Sequence, residues 1–473
     1  MSQESTGRKF LKAAGGAAGV AVAAGYSPFS YAANDRVRVG CIGTGGQGIF
    51  HLRGGLSLVE ELDVVAVCDV YKAHLWRGQV FAGGEHVQTF MDYREMLDQV
   101  ELDAVVISTP QHNHYPIVMD ALDAGKYVFC EKTLTYDIEE ARNIVTKCHE
   151  TGLFCQVGHQ RRHNPEYNRA VWLTREQNAI GRIHHMTAQW HRNNHWRRTI
   201  PDIELDEEER RHIDDLERHL NWRLYREFSG GLMCEFGAHQ LDIFAWFLGA
   251  MPSKVYGYGG LDYWRDGRDV QDNVATVWQF DMRPEHDGFT AIEPRTPLQD
   301  ESSLNTPYQV RATYTAIDAN AQRGANEFIQ GDWGAIFLSE SEGEDSYVQR
   351  ERATSGQTAA LAEALTGPPA TGDDIPFGMP MLEGRLPIEA AITKSANELQ
   401  FQALADCIRE GGHPQNNEMV GLMATIMSLC GMEACRENKE VEIDPAWCAF
   451  DFPTPDPFAY EYWPPPDDQD AEF

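Results

Sequence analysis

After residue 35, short apolar runs alternate with segments of helical spacing. Arg36–Ile42 reads as a buried strand and Ile49–Leu58 as a helix. Leu62–Cys68, Ala104–Ser108 and Tyr127–Cys130 read as further strands, and Tyr93–Gln99, Tyr115–Ala124 and Ile138–His149 as further helices. This alternation predicts a parallel, doubly wound sheet covered by helices on both faces. Beyond residue 155 the pattern changes. Ile183–Gln189 alternates apolar and polar positions, and Val255–Tyr258, Val274–Asp281 and Val310–Tyr314 predict strands of a large open, mostly antiparallel sheet. Residues 202–226 read as a charged helical insertion, 284–307 as a polar loop, and 340–380 as a surface excursion. Glu398–Glu410 and the Met- and Leu-rich Val420–Arg436 predict two late helices. The class expected is α/β plus α+β, with domains over 35–155 and 156–450. A leader (1–33) precedes them and a Pro-rich, acidic arm (451–473) follows.

Between the first strand and first helix stands Gly43-Thr44-Gly45-Gly46-Gln47-Gly48, a G-x-G-x-x-G run. Gly43 suits a tight turn, Gly45 the close approach of a pyrophosphate, and Gly48 close packing of helix on strand. The helix N-terminus beyond offers N–H groups and a positive dipole end to phosphate. Asp69 closes the second strand about 20 residues past Gly48, the spacing of an acid that binds ribose hydroxyls. Its charge repels a 2′-phosphate, which favours NAD over NADP. The plainer reading, a turn or cap residue, leaves the strand, glycines and spacing as coincidence. The loops at Gly43, Asp69, Thr109 and Glu131 all fall at carboxyl ends of strands, where such sheets bind ligands. His112-x-His114 has no carboxylate or cysteine at ligand spacing, so no metal site is expected.

The balance of 40 basic against 72 acidic side chains, −32 overall, speaks against nucleic acid or an anionic membrane surface as partner. Ten cysteines without a C-x-x-C pair read as reduced core residues. The leader joins Arg8-Lys9-Phe10-Leu11-Lys12 to a small-residue apolar stretch, Ala13–Gly25, and a possible cleavage site near Ala32 or Ala33. It resembles a twin-arginine (Tat) signal with Arg-Lys in place of two arginines, which implies a periplasmic protein. A cytoplasmic leader is the alternative.

Three further runs carry a family resemblance. Ser108-Thr109-Pro110-Gln111-His112-Asn113-His114 resembles the TPxxxH loop of Gfo/Idh/MocA oxidoreductases. Gly125–Lys132 resembles their GKHVxxEKP segment, and Gly230–Asp242 their GG…D-x-G-x-H-x-x-D helix. The resemblance implies an NAD-binding Rossmann domain, a sheet-based substrate domain, a carbohydrate substrate and a homo-oligomer. It assigns catalysis to Lys132, His239 and Glu235. It adds Thr44, Gln47, Thr109, Pro110, His112, His114, Glu131 and Lys132 to the glycines and Asp69 around the cofactor. Arg161, Arg162, His191, Trp196 and Asp242 are expected to bind substrate. Two positions depart from the family pattern: Thr133 stands for proline and Glu235 for aspartate. On α-helical spacing Glu235, His239 and Asp242 share one face, where His239 can accept a proton near neutral pH. An ordinary surface cluster has the same spacing. His191–Arg198 fits either a sugar-stacking loop or a basic loop paired with Glu204–Glu209.

These readings predict an NAD-dependent oxidoreductase acting on a sugar or polyol secondary alcohol. The alternatives are an NAD-retaining glycosidase or lyase working through transient oxidation, and a non-catalytic NAD-bound protein.

Overall fold

The computed structural model describes residues 36–284, 286, 288–290, 306–341, 344–351, 382–388 and 393–460. The leader, most of the 284–307 loop, most of the 340–380 excursion and the arm from 461 onward lie outside them.

The first sheet is all parallel, in the order β3-β2-β1-β4-β5-β6. Its strands are β1 (Val37–Ile42), β2 (Leu62–Cys68), β3 (Gln88–Phe90), β4 (Ala104–Ile107), β5 (Tyr127–Cys130) and β6 (Cys155–Val157). The helices between them are α1 (Gly46–Gly54), α2 (Lys72–Ala82), α3 (Tyr93–Gln99), α4 (His114–Asp123) and α5 (Ile138–Thr151). β4 and β6 are buried throughout, because helices cover both faces of a parallel sheet. α5 shows why its sequence stops and starts where it does. The Asp137 side chain accepts from the Glu140 N–H at the N-terminus, and Gly152 closes the helix at φ 69°.

The second sheet holds nine strands, ordered β14-β13-β12-β11-β7-β10-β9-β8-β15. They are β7 (Ile183–His191), β8 (Lys254–Gly260), β9 (Asn273–Met282), β10 (Tyr308–Ile317), β11 (Ala325–Gly331), β12 (Gly334–Ser339), β13 (Tyr347–Glu351), β14 (Leu382–Pro387) and β15 (Glu440–Glu442). Every pair is antiparallel except β7 with β10. Outside the sheet, α6 (Pro165–Arg175) follows the first domain, and α7 (Leu216–Leu220) and α8 (Ala238–Leu248) follow β7. α8 is buried at every position, so it is a core helix with no solvent face.

Two late helices tie the halves together. α9 (Ala396–Glu410) returns to the first sheet, where Phe401, Leu404 and Ile408 join the core formed by Val37, Val39, Phe129 and Phe154. α10 (Glu418–Glu437) packs on α5 and β6 of the first unit and on β8 and α8 of the second. It is long and apolar enough to cross a membrane, but 89% of its most apolar window is buried inside the protein.

Three expectations need correction. Residues 202–226 do not form one helix. They make single turns at Glu209–Arg211, α7 and Trp222–Leu224, joined by irregular chain. The segment follows tertiary contacts instead of a helical repeat: the buried Glu209 carboxylate accepts from the Lys72 N–H at 3.0 Å. Residues 347–351, read as part of a surface excursion, are strand β13, paired with β12 and β14. Finally, the 35–155 unit is not closed by its own residues, because α9 supplies part of its core.

Candidate active site

The glycine run makes the turn between β1 and α1. Gly43 has φ 86°, and a Cβ there would lie 2.8 Å from the Ser108 backbone. A Cβ on Gly48 would fall 2.1 Å from the Gly43 carbonyl oxygen, so side chains are excluded at both. Gly45 has no such obstacle; its nearest neighbour would be His74 at 3.5 Å, which leaves the loop open to a ligand. A cavity of about 630 Å³ lies against this turn, lined by Gly43, Gly45, Gly46, Gln47, Asp69, Thr109, Pro110 and His112.

Asp69 is fixed at the wall of this cavity. Its carboxylate accepts from the Thr44 N–H at 2.8 Å and the Tyr71 N–H at 2.9 Å, with His74 3.6 Å away. Burial favours the neutral acid, but His74 and the two backbone N–H groups outweigh it and lower the pKa. Thr44 itself is buried and holds the acid in place without lining the cavity. His112 packs on Phe228, and burial, reinforced by His114, lowers its pKa to about 4. His114 lies between the carbonyls of Thr109 and Thr133, at 2.9 and 3.0 Å; burial lowers its pKa, and its single N–H donates to one of them.

A second cavity of about 420 Å³ continues from the first and shares Gly46, Gln47, Ser108 and Thr109 with it. Its walls carry Glu131, Lys132, Glu235 and His239. Glu131 is buried, yet bonds from His51 at 2.7 Å and Gln47 at 2.8 Å offset desolvation and hold its pKa down to about 2. His51 in turn meets Asn397 of α9 at 2.9 Å. Lys132 follows β5, and its Nζ donates to the Glu235 carbonyl at 2.7 Å. The Lys132–Thr133 peptide bond is cis, and the Thr133 hydroxyl donates to the Cys234 carbonyl at 2.9 Å.

Glu235 sits in a π-helical turn, Met233–Gly237, that leads into α8. Such turns recur at functional sites. Its Oε2 accepts from Arg223 Nε at 2.7 Å, while Oε1 is buried without a partner. His239 lies one turn on, with an unpartnered buried Nδ1. Burial first, then the charges of Lys132 and Arg161, press its pKa well below the ordinary 6.5. A neutral imidazole and a carboxylate therefore stand at the wall of the same cavity, each keeping one buried polar atom without a partner.

Other expected residues fall elsewhere. Arg161 is buried, bonded to Glu327 at 2.5 Å and Glu340 at 2.7 Å. Arg162 and Asp242 form a buried pair with contacts of 2.7 to 3.1 Å. All three hold the fold and none lines the cavity. His191 points to Thr315 at 3.0 Å, also off the cavity. Trp196 does line it, at a strained φ of 60°, with its ring 4.8 Å from Phe236 and 3.9 Å from the Arg192 guanidinium. Trp190, Arg198, Trp222 and Arg223 are further cavity residues. The run His191–Arg198 held part of that signal; Trp222 and Arg223 were hidden in the supposed helical insertion.

Residues 37–159 match the model described as the Gfo/Idh/MocA oxidoreductase family, NAD-binding Rossmann fold, and residues 173–284 match the family's C-terminal domain. The inositol 2-dehydrogenase/D-chiro-inositol 3-dehydrogenase of Lactiplantibacillus plantarum is 34% identical over 131 residues, covering 28% of this chain and 37% of that protein. A glycosyl hydrolase family 109 protein of Shewanella baltica is 27% identical over 220 residues, 40% of this chain and 46% of its own. The chain thus spans between a third and a half of these curated relatives. The levoglucosan dehydrogenase structure with NADH and levoglucosan superposes with a TM-score of 0.62 at 19% identity, covering 86% of this chain and all of that one, which establishes a common fold. The glycine turn, the parallel sheet and the open second sheet agree with these matches, which over residues 37–159 and 173–284 are to the two domains of the Gfo/Idh/MocA oxidoreductase family.

Proposed function

We propose that this protein is an NAD-dependent oxidoreductase of a sugar or polyol secondary alcohol. The observation that carries the reading is one continuous space running from Asp69 and the glycine turn to Lys132, Glu235 and His239. The open cradle at Gly45 fits a dinucleotide, and the His239 and Glu235 side chains at the wall of the second cavity fit a hydroxyl group. NAD, when bound, accepts the hydride from the alcohol carbon. The rest of the chemistry falls to the protein. His239, neutral at working pH, takes the hydroxyl proton, and Lys132 donates to the oxygen as it gains negative charge. Glu235 bonds a neighbouring hydroxyl, and the Trp190, Trp196 and Phe236 rings offer apolar faces to sugar C–H groups.

The test is spectrophotometric. Purified protein given NAD and a panel of inositols and sugars is expected to raise the absorbance of reduced nicotinamide with at least one of them. The match to a glycosyl hydrolase family 109 protein keeps a second reading in view. Cleavage of a glycoside without net NADH would favour transient oxidation over a plain dehydrogenase.

Asp69 sets the cofactor preference in this reading. Asp69→Asn removes the charge that faces a 2′-phosphate and keeps an oxygen for one of the two N–H groups, Thr44 and Tyr71, which bond different carboxylate oxygens. The preference for NADH over NADPH is expected to narrow by about tenfold, a fraction of the repulsion between two near charges. Fluorescence titration with each nucleotide measures it, and an unchanged ratio would place the selectivity elsewhere.

A further inference from the structure

Arginines 192, 197 and 198 follow one another closely after β7, and two of them are spoken for. Arg192 bonds Asp318 at 2.8 Å, and Arg197 pairs with Glu217 and Asp266. Arg198 differs. Its backbone is held on both sides by one buried amide: the Arg198 N–H donates to Asn221 Oδ1 at 2.6 Å, and Asn221 Nδ2 donates to the Arg198 carbonyl at 3.3 Å. Among the described residues no acid pairs with its guanidinium. Burial, then the like charges of Arg223 and Arg77, hold its pKa below the usual arginine value. In a chain with a net charge of −32, an arginine at a cavity wall with its backbone held and no ion pair among the described residues is an anion site in waiting.

Its position names the anion. Arg198 lines both cavities, where they join. A Cβ on Gly46, the first residue of α1, would lie 3.1 Å from Arg198 Nη2. The guanidinium therefore lies beside the N-terminus of α1, at the edge of the glycine turn.

The geometry points to Arg198 as a clamp that reaches across from the substrate domain onto the pyrophosphate of the dinucleotide. The inference rests on the NAD reading of the first cavity. The turn supplies backbone N–H groups from below. Arg198 closes the diphosphate from above with a charge-assisted, bidentate contact. Because Asn221 fixes only its backbone, the side chain is pre-positioned without being engaged.

The experiment uses the full chain and two probes, NADH by fluorescence and ADP-ribose by competition. Arg198→Met is expected to weaken both to the same degree, roughly tenfold to a hundredfold, as for one lost charge-assisted hydrogen bond. The salt dependence of binding should become shallower, and Arg198→Lys should recover part of the affinity. Unchanged affinity for both probes in Arg198→Met overturns the clamp. So does a defect confined to the KM of an acidic sugar, which would make Arg198 a substrate ligand. Wild-type protein that binds no NADH would remove the NAD reading itself and the clamp with it.

Discussion

His239→Asn is expected to lower kcat by about 10² to 10⁴-fold, the range for loss of a positioned general base, while NADH affinity stays at the wild-type level. The separation follows from the geometry. His239 lies in the second cavity with Lys132 and Glu235, away from Asp69 and the glycine turn. The histidine must be neutral to accept a proton. Its folded pKa lies well below 6.5, so the base stays ready above that value and is lost only as pH falls through the depressed pKa. The kcat profile of the wild type should therefore show no acid limb from this group near pH 6.5, and stopped-flow or steady-state rates across pH 5 to 9 would check it (a window of roughly the range in which histidine ordinarily titrates). If His239→Asn turns over at near the wild-type rate, the proton goes to another group.

Arg162→Leu should cost about 3–5 kcal/mol of folding stability, as expected when one member of a buried ion pair is removed. Asp242 would keep its charge in a buried site with all its Arg162 bonds gone. His159, buried 3.6 Å away, has a pKa lowered to about 4 by burial despite Asp242, so it offers no compensating charge at neutral pH. The double replacement Arg162→Leu with Asp242→Leu should regain much of the loss, since a well-packed apolar pair often replaces a buried ion pair without penalty. Urea unfolding measures both. A stable Arg162→Leu protein with a raised substrate KM would instead restore Arg162 to the substrate site.

That contrast marks where reading the sequence succeeds. Gly43, Gly48 and Asp69 declare their roles locally, because strand, turn and acid lie within one β-α-β unit. Arg161 and Arg162 enter the expected substrate site through the family resemblance alone. Their partners Glu327, Glu340 and Asp242 come from distant segments that no local pattern connects to them. The same Glu327 hides strand β11: a buried acid at an inward position breaks the alternation that would have revealed it. α2 was missed for the opposite reason. Trp76, Val80 and Phe81 are exposed, and Gly78 is its only buried residue, so it has no apolar stripe facing the core. In Met233–Gly237 the sequence suggests a plain α-helix; the π turn that carries Glu235 leaves no sequence signature.

The return of α9 to the first sheet bears on how the protein is made. Asn397 and Phe401 contact His51, and Phe401 also packs on Phe129, so residues emerging late from the ribosome finish a surface begun near the start. Until about residue 410 has been synthesised, part of one face of the nucleotide-binding sheet, beside Ile49 and Leu52 of α1, has no cover. A nascent chain in that state is a natural client for chaperones. Expression of the 35–155 segment alone should give insoluble material, whereas co-expression with a 393–460 peptide supplies the missing wall.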